Sequence, residues 1–261
     1  MQPDLELAVR LAAFAGVFGL MAGWEYVAPA RALRLPRAVR WRANLGLAVV
    51  NTLILRVLLP TSAIALASLA GENGWGLLNN ISLPGWAAVL AGVVLLDLAM
   101  YFQHVLFHAV PALSRLHAVH HADPDFDLTT GIRFHPLEML LSAAIKFAAV
   151  AALGAPVEAV LIFEVLLNAT AMFNHANVAL PVPIEPWVRR VLVTPDMHRI
   201  HHSVVEAERN SNYGFCLSIW DRFLGTYTVE PHGDLDIGLA NRREPGMNST
   251  LGGVLSMPFK P

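Results

Sequence analysis

The chain has 261 residues, of which 55% are hydrophobic and only 15% charged. Soluble domains carry about 25% charged residues, so this composition, with a mean hydropathy of +0.50, excludes a disordered chain and points to a membrane protein. A formal charge of −2 offers no basic field for nucleic acid, and the single cysteine, Cys216, excludes an intrachain disulfide and any cysteine-built metal cluster.

A helix needs roughly 20 apolar residues to cross a ~30 Å hydrocarbon layer. The first candidate covers about residues 7–29, and with no basic segment before its apolar run it reads as a retained anchor rather than a signal peptide. The second covers about residues 43–70, with Arg56 and Pro60 inside it, and the third about residues 84–107. Two shorter runs follow, 137–153 and 157–173. Gly154-Ala155-Pro156 splits them, which predicts a helical hairpin. Beyond Ala176 the chain turns polar. Within that part, residues 184–193 (IEPWVRRVLV) read as a short helix, either lying in the membrane interface or forming part of a polar cap. The expected fold is all-α: a membrane-embedded bundle of three N-terminal spans and a hairpin, with a histidine-rich helical cap, in one domain.

Arginines set the expected orientation. Arg31, Arg34, Arg37, Arg40 and Arg42 fall between the first two spans, and no acidic residue occurs from 27 to 71. The opposite loop, 72–83, has no Lys or Arg. The positive-inside rule therefore puts the arginines in the cytoplasm. On that count every histidine lies at or beyond a cytoplasmic helix end.

Histidine is the unusual residue: there are 11, against two lysines, and ten of them lie between His104 and His202. His104 and His108 are four apart at the end of the third span. His117, His120 and His121 form an HxxHH pattern, and His198, His201 and His202 repeat it 81 residues later. His135 and His175 stand alone between them. On a helix, residues three or four apart share a face while an adjacent residue points about 100° away. One HxxHH cluster can therefore feed two metals, or one metal and a supporting contact. Imidazole is the commonest neutral metal ligand, and eight clustered histidines exceed what one zinc uses. Two metals are the natural count. Val105 after His104 rules out the HExxH zinc-peptidase pattern. Imidazole suits Zn, Cu, Fe and Ni alike, so spacing does not name the element. His135 reads equally as a ligand or as the start of a helix, and His232 as a surface residue.

The boxes HxxxH, HxxHH and HxxHH, in this order around a membrane hairpin, resemble the fatty acid hydroxylase / sterol desaturase superfamily. The supporting words are Asp97-x3-Tyr101-x2-His104-x3-His108, Arg133-Phe134-His135-Pro136-x-Glu138 and Asn174-His175-Ala176-Asn177. Further on come Thr194-Pro195-x2-His198-Arg199-Ile200-His201-His202-Ser203, Asn212-Tyr213-Gly214 and Trp220-Asp221-Arg222-Phe223-Leu224-Gly225-Thr226-Tyr227. The resemblance covers about residues 95–227. It divides the chain into N-terminal membrane helices (1–83), a catalytic region (84–229) and an unmatched tail (230–261).

What the resemblance implies is oxygen-dependent C–H chemistry on a lipid drawn from the bilayer, at a non-haem centre of two iron ions. Zinc is able to occupy the same sites on purification. His104, His108, His117, His120, His121, His175, His198, His201 and His202 would be ligands, with His135 as a tenth. Two departures stand out: Val105 replaces a common arginine, and Ala179 stands where some members carry a further histidine. One iron would then have an open position or use His135. Asp97 and Asp196 are the expected carboxylates that orient ligands; otherwise Asp97 pairs with Arg56 and Asp196 caps a helix. Lipid would enter between the third span and the hairpin, and a separate redox protein would supply electrons. Hydroxylation is favoured over desaturation. The rival readings are a histidine-rich metal transporter, which would line a passage with ligands, and a non-catalytic lipid-binding member of the same scaffold.

Overall fold

A computed structural model of the chain describes residues 3–59 and 61–260. Among the described residues there are helices and short turns but no strands. In chain order they are α1 (Pro3–Val27), α2 (Arg37–Leu58), α3 (Ala63–Glu72), α4 (Gly85–Ala109), α5 (Pro111–His121), α6 (Pro136–Leu153) and α7 (Val157–Asn174). The remainder are short: α8 (Glu185–Val188), α9 (Pro195–His201), α10 (Glu206–Arg209), α11 (Ile219–Leu224), α12 (Pro245–Asn248) and α13 (Leu251–Ser256).

Five stretches are long and apolar enough to cross a membrane: Leu5–Val27, Arg37–Asn80, Gly85–Ala109, Pro136–Leu153 and Val157–Asn174. Their outer faces carry exposed Leu11, Leu20, Leu53, Val57, Trp86 and Leu90, a surface that hydrocarbon accommodates and water does not. This is a multi-pass membrane protein. The expected second span is two helices, with Ser62 capping the second by accepting from the Ala65 N–H; Pro60 lies outside the described residues. The expected hairpin is α6 and α7. Gly154 between them takes φ +61 as the C-cap of α6, the left-handed turn that glycine adopts without strain.

Packing places the histidine-bearing ends together. Leu96 and Met100 of α4 meet Ala63, Ile64 and Ala67 of α3, Val150 of α6, and Val160 and Phe163 of α7 in the membrane core. A second core joins Leu47 of α2 and Val119 of α5 to Val254 and Met257, so the tail folds back onto the helix that carries the first HxxHH box. Proline opens each helix that starts near the histidines, at Pro111, Pro136 and Pro195, where its missing N–H would be unpaired in any case.

The arginine run is not a plain loop. Arg37, Arg40 and Arg42 belong to α2, and Arg40 is fully buried. Its guanidinium donates to Asp123 at 2.7 and 2.8 Å and to Asp127 at 2.5 Å. Asn44 and Trp41 of the same helix also donate to those two carboxylates. The acidic run after the first HxxHH box thus clamps that box to α2. Burial pushes the Asp123 carboxyl up, but the Arg40 charge and hydrogen bonds pull it down further, to about 2. Glu25 near the end of α1 makes a parallel tie, accepting from the Leu128 and Asn177 N–H groups.

Residues 184–193 differ from the expected helix. Only Glu185–Val188 is α-helical, with Trp187 exposed and Arg190 stacked over its ring at 4.3 Å.

Candidate metal centre

Nine histidines from four segments converge in two groups. In the first, His104, His108, His117, His121 and His201 bring one nitrogen each to within 4.8 Å of one another; in the second, His120, His175, His198 and His202 do the same. Each HxxHH helix serves both groups. His117 and His121, four apart, join the first while the adjacent His120 joins the second. In α9 and its C-cap, His198 and His202 join the second and His201 the first. That division follows from the 100° step between neighbouring helical residues.

Four of the outer nitrogens are firmly anchored. His104 Nδ1 donates to the Tyr213 carbonyl at 2.7 Å, His201 Nδ1 to the Ser211 carbonyl at 2.7 Å, and His117 Nδ1 to Glu138 Oε1 at 2.6 Å. In the second group His175 Nδ1 donates to the Ala171 carbonyl at 2.8 Å. Carbonyl and carboxylate oxygens only accept, so these rings carry their proton on Nδ1 and leave Nε2 as a bare lone pair.

Those lone pairs face each other. His104 Nε2 lies 3.0 Å from His201 Nε2 and 3.2 Å from His117 Nε2, with no proton on any of the three. His175 Nε2 stands 3.1 to 3.2 Å from the Nε2 atoms of His120, His198 and His202. Two lone pairs at that separation repel unless a cation sits between them. Neighbouring ligands on one ion, with bonds of about 2.1 Å at right angles, are about 3.0 Å apart. The donor set therefore fits one metal ion per group. Burial comes first in keeping the imidazoles neutral, as metal ligands must be. With the crowding of neighbouring rings it holds His120, His121, His198, His201 and His202 well below the usual histidine range, and it puts His175 at about 3.

Three of the expected site residues are placed outside both groups. His135 is in neither group: its Nδ1 accepts from the Leu137 N–H as the N-cap of α6, and its Nε2 donates to the Leu255 carbonyl at 3.2 Å. Both nitrogens are used, so no lone pair is left for a metal. Asp196 turns to Arg199 at 2.5 Å, while Thr194 caps α9. Asp97 touches no histidine and does not pair with Arg56; it accepts from the Cys216 and Leu217 N–H groups and from Trp220 Nε1.

Asp97 and Asp221 instead fix the loop that anchors the first group. Asp221 accepts from the Tyr213 and Gly214 N–H groups at 2.7 and 2.8 Å, which sets the carbonyls of residues 211 and 213 against His201 and His104. The carboxylate in contact with a ligand is Glu138. It was visible in the sequence at the start of α6 beside His135, but nothing there pairs it with His117. His232 is exposed and lies against Glu208.

A cavity of about 330 Å³ reaches His104 and His117 from between the helices. It is bounded by α4, α6 and α7, the expected entry, and also by α2 through Ala48, Asn51, Thr52 and Leu55.

The family model for fatty acid hydroxylase matches residues 89–226, which hold every histidine of both groups. The chain belongs to the fatty acid hydroxylase family. Among curated members, an ornithine lipid hydroxylase of Rhizobium tropici is 33% identical over 165 residues, 62% of this chain and 49% of its own length. Alkylglycerol monooxygenases of Xenopus tropicalis and Homo sapiens are 29% and 28% identical over 150 residues, in each case 56% of this chain and 31% of the relative. The chain thus spans about half the length of the first of these relatives and under a third of the other two. No solved structure matches the chain significantly.

Proposed function

We propose that this chain is a membrane-bound non-haem di-iron oxygenase that hydroxylates a lipid. The observation that carries the reading is the pair of closed histidine groups whose Nε2 atoms converge, next to a largely apolar cavity. His104, His108, His117, His121 and His201 would hold one iron, and His120, His175, His198 and His202 the other. When bound, two irons supply dioxygen activation and attack on an unactivated C–H bond, redox chemistry that zinc in the same sites does not provide.

The chain's own residues bind, orient and exclude. Neutral imidazoles hold the ions, and the carbonyls of Tyr213, Ser211 and Ala171, with Glu138, fix the ring orientations. Phe134 stacks on His120 at 4.4 Å and 12° and shields the second group. Met100, Phe107, Phe134, Met139 and Leu167 wall the cavity against water and carry a lipid carbon toward His104 and His117. The lipid enters sideways from the bilayer among α2, α4, α6 and α7. A separate redox protein delivers the electrons. The arginines of 31–42 support a cytoplasmic position for the centre. Hydroxylation is favoured over desaturation because the named relatives are a hydroxylase and monooxygenases. The metal-transporter reading is less well supported, since each histidine group closes on itself and adjoins an apolar cavity.

The test compares lipid extracts of cells carrying the wild-type gene, no gene, or the His201→Ala variant. A lipid one oxygen atom heavier should accumulate only with the wild type. A species lacking two hydrogens instead would mark a desaturase, and identical profiles in all three would remove the oxygenase reading.

A further inference from the structure

The cavity contains more polarity than a hydrocarbon chain can use. Three residues that line it each carry a buried oxygen with no hydrogen-bond partner among the described residues: Asn51 Oδ1, Gln103 Oε1 and Glu138 Oε2. These residues are only 5%, 8% and 3% exposed. In each the other polar atom is committed. Asn51 Nδ2 donates to the Phe134 carbonyl at 2.9 Å, Gln103 Nε2 donates to Ser142 Oγ at 3.1 Å, and Glu138 Oε1 receives His117 Nδ1. The Phe134 carbonyl can only accept, so the Asn51 amide cannot be reversed and its free atom is an acceptor. The Ser142 hydroxyl can donate as well as accept, so the Gln103 amide is fixed less firmly; in the orientation it takes, all three vacancies are for donors.

Their position is as informative as their sign. Gln103 directly precedes His104, Glu138 touches His117, and Asn51 is tied to Phe134, the ring stacked on His120. Asn51 and Gln103 lie inside candidate spans, where an unpaired polar group is costly and marks function. Lys146 also lines the cavity, but its ammonium is already held by Glu164. The free acceptors thus cluster at the histidine end.

We propose that the cavity selects a lipid that carries hydrogen-bond donors, hydroxyl or N–H, close to the carbon that is oxidised, and that Asn51 and Gln103 are the residues that select it. The proposal rests on the reading of this cavity as the substrate site and narrows it. Plain acyl chains, which place no donor beside the reacting carbon, would leave all three oxygens unpaired. A site built to pair a donor discriminates strongly against an analogue that lacks it.

Binding decides it without turnover. The full chain in detergent, with no reductant present, is titrated with a hexadecyl glycerol ether and with the same ether methylated at both hydroxyls. A second arm uses N-hexadecanoylornithine and the analogue methylated at the amide nitrogen and trimethylated at the side-chain amine, which separates hydroxyl from N–H donors. In at least one arm the donor-bearing probe should bind about tenfold or more tightly than its blocked partner. Gln103→Leu and Asn51→Leu should each shrink that ratio. Equal affinities within both arms of the wild type would overturn the proposal, and that comparison stands even if a variant fails to fold. The oxygenase reading fails separately, by the absence of any oxygenated lipid in cells carrying the wild-type gene; a preference for the donor-bearing probe would then remain as a binding property of the cavity alone.

Discussion

Replacing His201 with alanine should lower bound iron from about two ions per chain to about one and abolish lipid hydroxylation. His201 Nε2 lies 3.0 Å from His104 Nε2, and its Nδ1 is locked to the Ser211 carbonyl. Alanine removes both a donor atom and the ring that orders its neighbours. Loss of an orienting contact alone typically costs 10–100-fold in metal affinity or activity, and loss of a ligand should cost more. His198→Ala should remove the other ion, because His198 belongs to the other group. His135→Ala is the contrast. It removes the cap of α6, worth about 1 kcal/mol, and should leave the iron content unchanged. Elemental analysis of the three purified variants checks all of this. Equal iron loss in all three would mean that the grouping is wrong.

Arg40→Met should destabilise the fold more than any single substitution on the lipid-facing surface. The change leaves Asp123 and Asp127 buried with their principal cation gone, a situation that costs about 3–5 kcal/mol. Lysine is no substitute, because Arg40 reaches both oxygens of Asp123 and also Asp127 with three nitrogens. Adding Asp123→Asn and Asp127→Asn to Arg40→Met should recover much of the loss, since the uncompensated charges disappear. The same pair sets an acid limit. Asp123 is held at about 2 in the fold, against about 3.9 in an unfolded chain. Its contribution is fully present above about pH 4 and fades as the pH falls toward 2. Thermal melting in detergent, for the wild type and the variants, reads both effects.

The sequence carried the histidine spacing, and the spacing carries its own geometry: members four apart share a group, and the member next to them joins the other. The apolar stretches and the Gly154 turn were equally legible, because length, hydropathy and a glycine-proline break act locally. What could not be read depends on segments far apart in the chain. Arg40 reads as one of five arginines in a charged run, and its pairing with Asp123 spans 83 residues that only folding closes. Glu138 lay inside a quoted motif, yet its partner His117 is 21 residues away. Asp97 and Asp196 were chosen for nearness in sequence to histidines. Asp196 is two residues from His198, and side chains two apart on a helix do not share a face; Asp97 is two turns before His104 and on its side of the helix, yet its carboxylate is taken up by the loop from Cys216 to Trp220. His135 shows the reverse error, a histidine among ligands whose two nitrogens are both occupied by backbone.

Each of the two histidine groups should enclose one iron. Anomalous diffraction at the iron edge, from crystals of the iron-loaded full chain, measures it directly. Two peaks are expected, one at bonding distance from the Nε2 atoms of His104, His117 and His201, the other from those of His120, His175 and His198. A single peak, none, or a peak at His135 in place of either would contradict it.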